Sequence, residues 1–235
     1  MRIKVSLLAK RGDVVDFNHC QDLAREIRRA ISTSNPDVLG PSSFYTFSRL
    51  LVKNRMFEIA KDGMKLLTNQ LHFFFSSASS EICKSLIDGL VELEEIFVRD
   101  VLLEVSGIEI IKESRISNRE KFVTLSPINS DANFKKPGFE DRFTKELLEE
   151  LVRRYAVLSE VDGEPEFSFR VRILKVKPVR IKTDMGYLRA YLMVFNAEGS
   201  EDLLKVGYTT GFGKMTDMGF GMVKTTLGNP KTDNA

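Results

Sequence analysis

Twice along this chain the apolar residues pass through the same cycle. They fall on alternate positions, then at helical spacing, then through two further alternating stretches, then at helical spacing again, and end in alternation. In the first half Ile3, Val5 and Leu7 alternate within residues 2–9, which predicts a strand. Residues 20–33 place Leu23, Ile27, Ala30 and Ile31 on one helical face, and Asn35-Pro36 stop that helix. Residues 44–52 and 64–75 read as extended. Ser79, ahead of Ser80-Glu81, predicts the cap of a second helix with Ile82, Leu86, Ile87 and Leu90 inward. A strand within 96–111 completes the order β-α-β-β-α-β, the ferredoxin-like order.

The second half follows the same order without any residue-level repeat. Residues 121–126 predict a strand, and 143–155 a helix with Leu147, Leu148 and Leu151 inward. Residues 167–182 and 187–195 are the middle strands, 200–206 a short helix and 219–227 the last strand. Residues 128–141, with Pro137 and Gly138, read as a loop or insertion. The polar, aperiodic stretch 113–120 is the expected boundary. The fold class is therefore α+β: two tandem ferredoxin-like domains, 1–116 and 117–235, the second carrying a C-terminal glycine-rich loop.

That loop runs from Gly211 to Val223 and holds Gly211, Gly213, Gly219 and Gly221 around Lys214 and Phe220. Glycines at this density predict tight turns that present bare backbone N–H groups, as phosphate-holding loops do, with a purely structural glycine-rich turn as the alternative. A P-loop needs Gly-Lys-Ser/Thr opening a helix, whereas Gly213-Lys214 leads to Met215 and then towards a strand. A dinucleotide fold needs its glycines directly after the first strand. Net charge is only +2, so affinity for nucleic acid must come from a local patch. Arg170, Arg172, Lys175, Lys177, Arg180, Lys182 and Arg189 gather just ahead of the loop, against one acid, Asp184. Arg170 and Arg172 share a strand face while Phe169, Val171 and Ile173 take the other. Lys175 and Lys177 then require a bulge or twist near Ile173–Leu174. The alternation predicts a basic track for a phosphate backbone, with a merely solvated strand face as the alternative.

Other chemistry is thinly represented. Cys20 and Cys83 make no disulfide framework and read as buried thiols in a reducing compartment. With only His19, His72 and those cysteines, all far apart, no zinc spacing exists, and neither a metal nor another cofactor is expected. Glu92, Glu94 and Glu95 at a helix end read as solvated. The N-terminal apolar run is broken by Lys4 and Ser6, so it is neither an export signal nor a membrane span, and the expected location is the cytoplasm.

Gly211-Phe212-Gly213 and Gly219-Phe220-Gly221-Met222-Val223, led by Glu201-Asp202-Leu203-Leu204-Lys205-Val206-Gly207-Tyr208, resemble the CRISPR-associated Cas-six endoribonucleases. Phe122-Val123-Thr124-Leu125-Ser126-Pro127-Ile128, Phe17-Asn18-His19 and Ser34-Asn35-Pro36 support the resemblance, which spans nearly the whole chain. It implies two ferredoxin-like domains that bind CRISPR repeat RNA, partly in the cleft between them and partly on the glycine loop. It also implies metal-independent attack of a ribose 2′-hydroxyl on the neighbouring phosphate, leaving a 2′,3′-cyclic phosphate and a 5′-hydroxyl. The resemblance places a tyrosine late in the first helix, a histidine after it and a lysine before the next strand. Here Arg28 stands at the first position, no histidine lies between Asn35-Pro36 and Phe44, and Ser42 or Ser43 stands at the third.

No catalytic residue is therefore assigned, and the expected function is repeat-RNA binding with little or no cleavage. The expected RNA contacts are Arg28, the basic residues from Arg170 to Lys182, and Gly211, Gly213, Lys214, Gly219, Phe220 and Gly221. Two readings remain open beside it: an active endoribonuclease using His19 or a lysine–arginine cluster, and a subunit that docks other CRISPR-associated proteins. A monomer or a homodimer is expected.

Overall fold

The computed structural model describes residues 1–41, 43–159, 167–184 and 186–226. Ser42, and Leu227 at the end of the expected last strand, lie outside the described residues. The first strand, β1 (Arg2–Arg11), pairs antiparallel with β7 (Gln70–Ser77) on one side and β9 (Val101–Ile111) on the other. With β3 (Tyr45–Phe47) and β8 (Glu95–Val98) the order is β3-β7-β1-β9-β8. Helices α1 (Cys20–Ser34) and α2 (Ser80–Leu93) supply the two crossovers. Without its β8 edge, this is the ferredoxin-like arrangement.

Alternation decides which face the helices cover. Ile3, Val5, Leu7, Leu71, Phe73 and Phe75 point to one face and are at most 3% exposed, packed with Leu23, Ile27, Ile31, Ile82, Leu86 and Leu90. Each such side chain contributes roughly 1.5–3 kcal/mol by leaving water. The intervening residues Lys4, Ser6, Leu8, His72 and Phe74 occupy the other face, away from both of these helices; the end of that face at Arg2 and Ser76 is buried, Arg2 lying over the ring of Tyr208 from the second half. Ser79 caps α2 as its sequence predicts, its hydroxyl accepting from Ile82 N–H at 3.3 Å.

Several extended stretches are more broken than the periodicity predicts. Residues 44–52 divide into β3 and β4 (Leu51–Val52), and 64–75 into β6 (Gly63–Leu66) and β7. Thr68-Asn69 turn the chain between those two, with Thr68 Oγ1 accepting from Gln70 N–H. Strand β6 joins β2 (Val14–Asp16) and β5 (Phe57–Ile59) in a small separate sheet. The stretch 96–111 is a hairpin, β8 and β9, turning at Arg99, which adopts φ 53°. The outer edge of β8 is covered by α1, where Glu26 Oε2 accepts from Phe97 N–H at 3.2 Å, leaving that donor no free template for a foreign strand.

The second sheet is built from β10 (Arg119–Thr124), β11 (Ile128–Asn129), β12 (Phe169–Thr183), β13 (Gly186–Gly199) and β14 (Val223–Thr225). The order β12-β13-β10-β14 is again ferredoxin-like, with β11 extending the β10 side of β13. Helices α3 (Phe139–Ser159) and α4 (Glu201–Thr210) cover one face through Phe143, Leu147, Leu151, Leu203 and Leu204. Residues 128–141, expected as loop, contribute β11 and the first turn of α3. The last strand is shorter than 219–227, since 219–222 belong to the loop. At the edge strand β12, Glu140 Oε2 accepts from Ile173 N–H at 2.8 Å.

The halves are joined by polar bonds from buried side chains. Arg2, 4% exposed, donates to the carbonyls of Tyr208 (3.0 Å) and Val223 (2.9 Å) and lies 4.0 Å over the Tyr208 ring. Thr46 Oγ1 donates to Phe220 O at 2.8 Å, and Arg49 N–H to Leu125 O.

Candidate nucleic-acid interface

The glycine-rich loop is not the exposed cradle that its composition predicts. Gly211, Gly213, Gly219, Phe220 and Gly221 are all buried, and Phe212 and Phe220 are at most 2% exposed. Phe212 packs against Phe122 and Phe195 at ring separations of 5.2 and 5.5 Å. The amides are engaged internally: Phe212 N–H donates to Gly221 O, Lys214 N–H to Asn129 O, Gly219 N–H to Thr216 O and Gly221 N–H to Pro127 O. The glycines serve close packing where a side chain would collide, Gly211 and Gly219 against the first half and Gly213 and Gly221 within the second, rather than access for a phosphate.

The loop's charges are also engaged. Lys214 Nζ lies 2.6 Å from Asp131 Oδ2, and that hydrogen bond raises its pKa. Arg28 is ion-paired with Asp217 and donates to the Tyr45 hydroxyl at 3.4 Å. It therefore ties α1 to the loop. A buried cation holds the loop from below: Arg154, 2% exposed, donates to Gly211 O at 2.6 Å and to Gly213 O. Burial lowers its pKa to about 10, which leaves it charged at neutral pH beside the negative end of α4. Arg154 was missed among the candidate residues. Its signal was positional, because it follows Phe139, Phe143, Leu147 and Leu151 on the buried stripe of α3.

His19 is completely buried. Its Nε2 accepts from Leu50 N–H at 3.0 Å, so the proton sits on Nδ1 and is donated to Asp16 O at 2.6 Å. Burial, reinforced by nearby Arg49, lowers its pKa to about 4. Both nitrogens orient the entry to α1, and neither reaches solvent, which corrects the reading of His19 as a base. Because the unfolded histidine takes up its proton near pH 6.5, stability is full above that pH and declines as pH falls towards 4. The loss is roughly 3 kcal/mol. Urea midpoints across that range check this, and a His19→Gln variant should lose that part of the pH dependence. Ser43 bonds to Val38 O and Gly40 N–H. His72 lies on the face of the first sheet turned away from α1 and α2, 5.4 Å from the ring of Phe74 and edge-on to it.

Among the described residues, no helix is long and apolar enough to cross a membrane. Nor, among them, do three or more His, Cys, Asp or Glu side chains gather as a metal site. Cys20 and Cys83 are both buried free thiols, and burial raises the pKa of each.

The accessible positive charge lies on the second sheet. The register of β12 against β13 shifts between Ile173 and Lys175, where the sequence requires a bulge. Without that extra residue, Lys175 and Lys177 would fall opposite to Arg170 and Arg172; with it, all four share the face turned away from α3 and α4. Arg180 and Lys182 fall on the reverse face, beyond the helices. All six are exposed.

Register extends the patch across three more strands. Glu198 pairs with Arg119, Asn196 with Lys121, and Val123 with Lys224, which brings Arg119, Lys121 and Lys224 onto the same open face. Glu198 is the one carboxylate these strands place there, and it pairs with Arg119 at 3.0 Å. Arg119, Lys121 and Lys224 were missed because the first two flank Glu120 in one short strand and Lys224 is the lone basic residue of β14.

Comparison with known proteins places this architecture. Residues 14–109 match the family model for CRISPR-associated protein Cas6, N-terminal, and residues 111–225 that for CRISPR associated protein Cas6, C-terminal. A CRISPR-associated endoribonuclease-like protein Cas6 of Pyrococcus furiosus is 31% identical, over 95% of this chain and 98% of its own. The CRISPR-associated endoribonuclease Cas6 of the same organism is 35% identical, over 100% and 93%. A solved structure described as an RAMP protein binding different RNA substrates superposes with a TM-score of 0.85 at 28% identity, covering 96% of this chain and 99% of that one. With both halves matched in order and the relatives aligned nearly end to end, this chain belongs to the Cas6 family of CRISPR repeat-RNA-binding proteins and endoribonucleases.

Proposed function

We propose that this chain binds CRISPR repeat RNA through the open face of its second sheet and holds it without efficient cleavage. The observation that carries the reading is the convergence of Arg170, Arg172, Lys175, Lys177, Lys121 and Lys224 on one exposed surface. Such a surface neutralises phosphates and releases their counterions. The RNA-binding relative of the same fold supports it. Residues 1–116 and 117–235 act as two domains in this reading, the second presenting the phosphate-binding face.

The loss of cleavage follows from side-chain chemistry. Arg28 occupies the position of the expected tyrosine, keeps its proton and is held by Asp217. His19 has no accessible nitrogen. Missing acid–base groups cost about 10²–10⁴ in rate. Repeat RNA incubated with the protein in EDTA should shift in a native gel and remain uncut. A cyclic-phosphate product would overturn the non-catalytic reading and leave binding intact.

The doubly substituted Arg172→Ala/Lys175→Ala protein should bind about tenfold more weakly at moderate salt. Its log K against log salt should flatten by roughly 1–2 units, a little under one per lost phosphate contact. Equal slopes for wild type and variant would remove this face from the RNA path.

A further inference from the structure

We propose that the open edge of β9 joins a second copy of this chain, antiparallel and with Ile108 opposite its own counterpart, so that the first sheet continues across a twofold axis. The inference does not depend on the RNA-binding reading. Strand β8 pairs with β9 only from Val101 to Glu104. One residue further on, Val105 N–H donates to Glu94 O at 2.8 Å, and there the cover ends. From Gly107 to Ile111, β9 is paired with β1 on one side. Among the described residues, no strand pairs with that segment on the other side. Antiparallel alternation leaves the N–H and C=O of every second residue there directed outward.

Chains blunt such edges with lysine, proline or a covering group. The outer edges of β8 and β12 are met by the carboxylates of Glu26 and Glu140. Ser106-Gly107-Ile108-Glu109-Ile110-Ile111 contains neither lysine nor proline, and its one charge, Glu109, is 3.8 Å from Lys4. Ile108 and Ile110 stand across from Val5 and Ile3, so both emerge on the side of α2. Ile110 is 70% exposed and Val91 of α2 is 63% exposed. Ile87 lies one turn before Val91, on the side of α2 away from the close contact of Gly89 with Ala30 of α1. An apolar strip thus accompanies an unpaired edge.

Symmetry selects the occupant. A twofold axis perpendicular to the sheet keeps both α2 helices on one side and sets one residue of β9 opposite itself. The uncovered segment is centred on Ile108 and Glu109. Glu109 on the axis would place like charges directly opposite each other, which is unfavourable. Ile108 on the axis pairs two isoleucines and sets Ser106 opposite Ile110. Charge follows the same symmetry. Lys84 and Lys112 lie towards the end of the strip where Cys83 meets Met1 O, and Glu113 there is held by the Met1 amine at 3.0 Å. Glu92, Glu94 and Glu95 lie at the opposite end, and all five of these other charges are exposed. An antiparallel copy brings the lysines of each chain towards the carboxylates of the other.

Sedimentation of the full, RNA-free chain between about 1 and 100 µM should show a monomer–dimer equilibrium. Ile110→Lys should weaken association about tenfold or more, with the parent's melting temperature retained at low concentration. Residues directly opposite hold their Cβ atoms about 4.5–5.5 Å apart, so Ile108→Cys should give a disulfide-linked dimer on mild oxidation. Ile110→Cys, opposite Ser106, should give little. Cys20 and Cys83 are buried, so the parent should remain unlinked. A parent that stays monomeric at all these concentrations overturns the proposal and leaves the edge to a strand of another protein. Undiminished association of Ile110→Lys overturns it as well, by placing the contact elsewhere, and equal cross-linking at positions 108 and 110 overturns the pairing centred on Ile108.

Discussion

Alanine at position 221 is expected to lower global stability by roughly 4 kcal/mol while leaving the RNA affinity of the remaining folded protein unchanged. Gly221 has φ +79°, in the left-handed region that a Cβ disfavours. An added Cβ would also lie 2.1 Å from the carbonyl oxygen of Phe212 and 2.8 Å from its nitrogen. Those are backbone atoms, which no rotamer change can move aside. Relief would require parting two segments joined by the Phe212 N–H bond to Gly221 O, and Phe212 would leave its place against Phe122 and Phe195. Urea denaturation should show a lower midpoint at similar slope. The opposite pattern, an intact midpoint with weakened RNA binding, would mean that the loop touches the ligand after all.

Arg154→Met is expected to cost about 3–5 kcal/mol, although methionine matches the volume and apolar character of the surrounding helix face. The guanidinium satisfies the carbonyl oxygens of Gly211 and Gly213 where α4 ends and the loop begins. Methionine would leave those buried acceptors without donors, and each such loss costs about 1–3 kcal/mol. Lysine keeps the charge but not the fork, so Arg154→Lys should recover only part of the loss. Thermal melts of the two variants beside the parent test this ranking. If methionine proves neutral, the loop is held by its aromatic packing and not by the buried cation.

The two expectations concern the same region, which the composition marked and whose role it misdirected. Glycine density announces tight, positive-φ backbone, and the loop has it. Whether its amides face solvent depends on what packs above them, and here Thr46, Phe47 and Cys20 of the first half lie close against Gly211 and Gly219. Those residues are remote in sequence, and nothing local to the glycines reveals them. His19 follows the same logic: a histidine before a helix can orient that helix or serve as a base, and Leu50 N–H at its Nε2 decides the matter.

What local sequence determines here is parity and element order. Alternation in β1, helical spacing in α1 and α2, the Ser79 cap and the bulge forced by Ile173–Lys175 all follow from side-chain period, which each short segment carries within itself. Tertiary structure alone decided which strands became neighbours. That pairing gathered Arg119, Lys121 and Lys224 beside Arg170 and Arg172, while the packing of α3 and of the two halves placed Arg154 under the loop and closed Gly211 and Gly219 against the first half. A period specifies the face on which a side chain emerges; only the register between distant strands specifies what stands next to it.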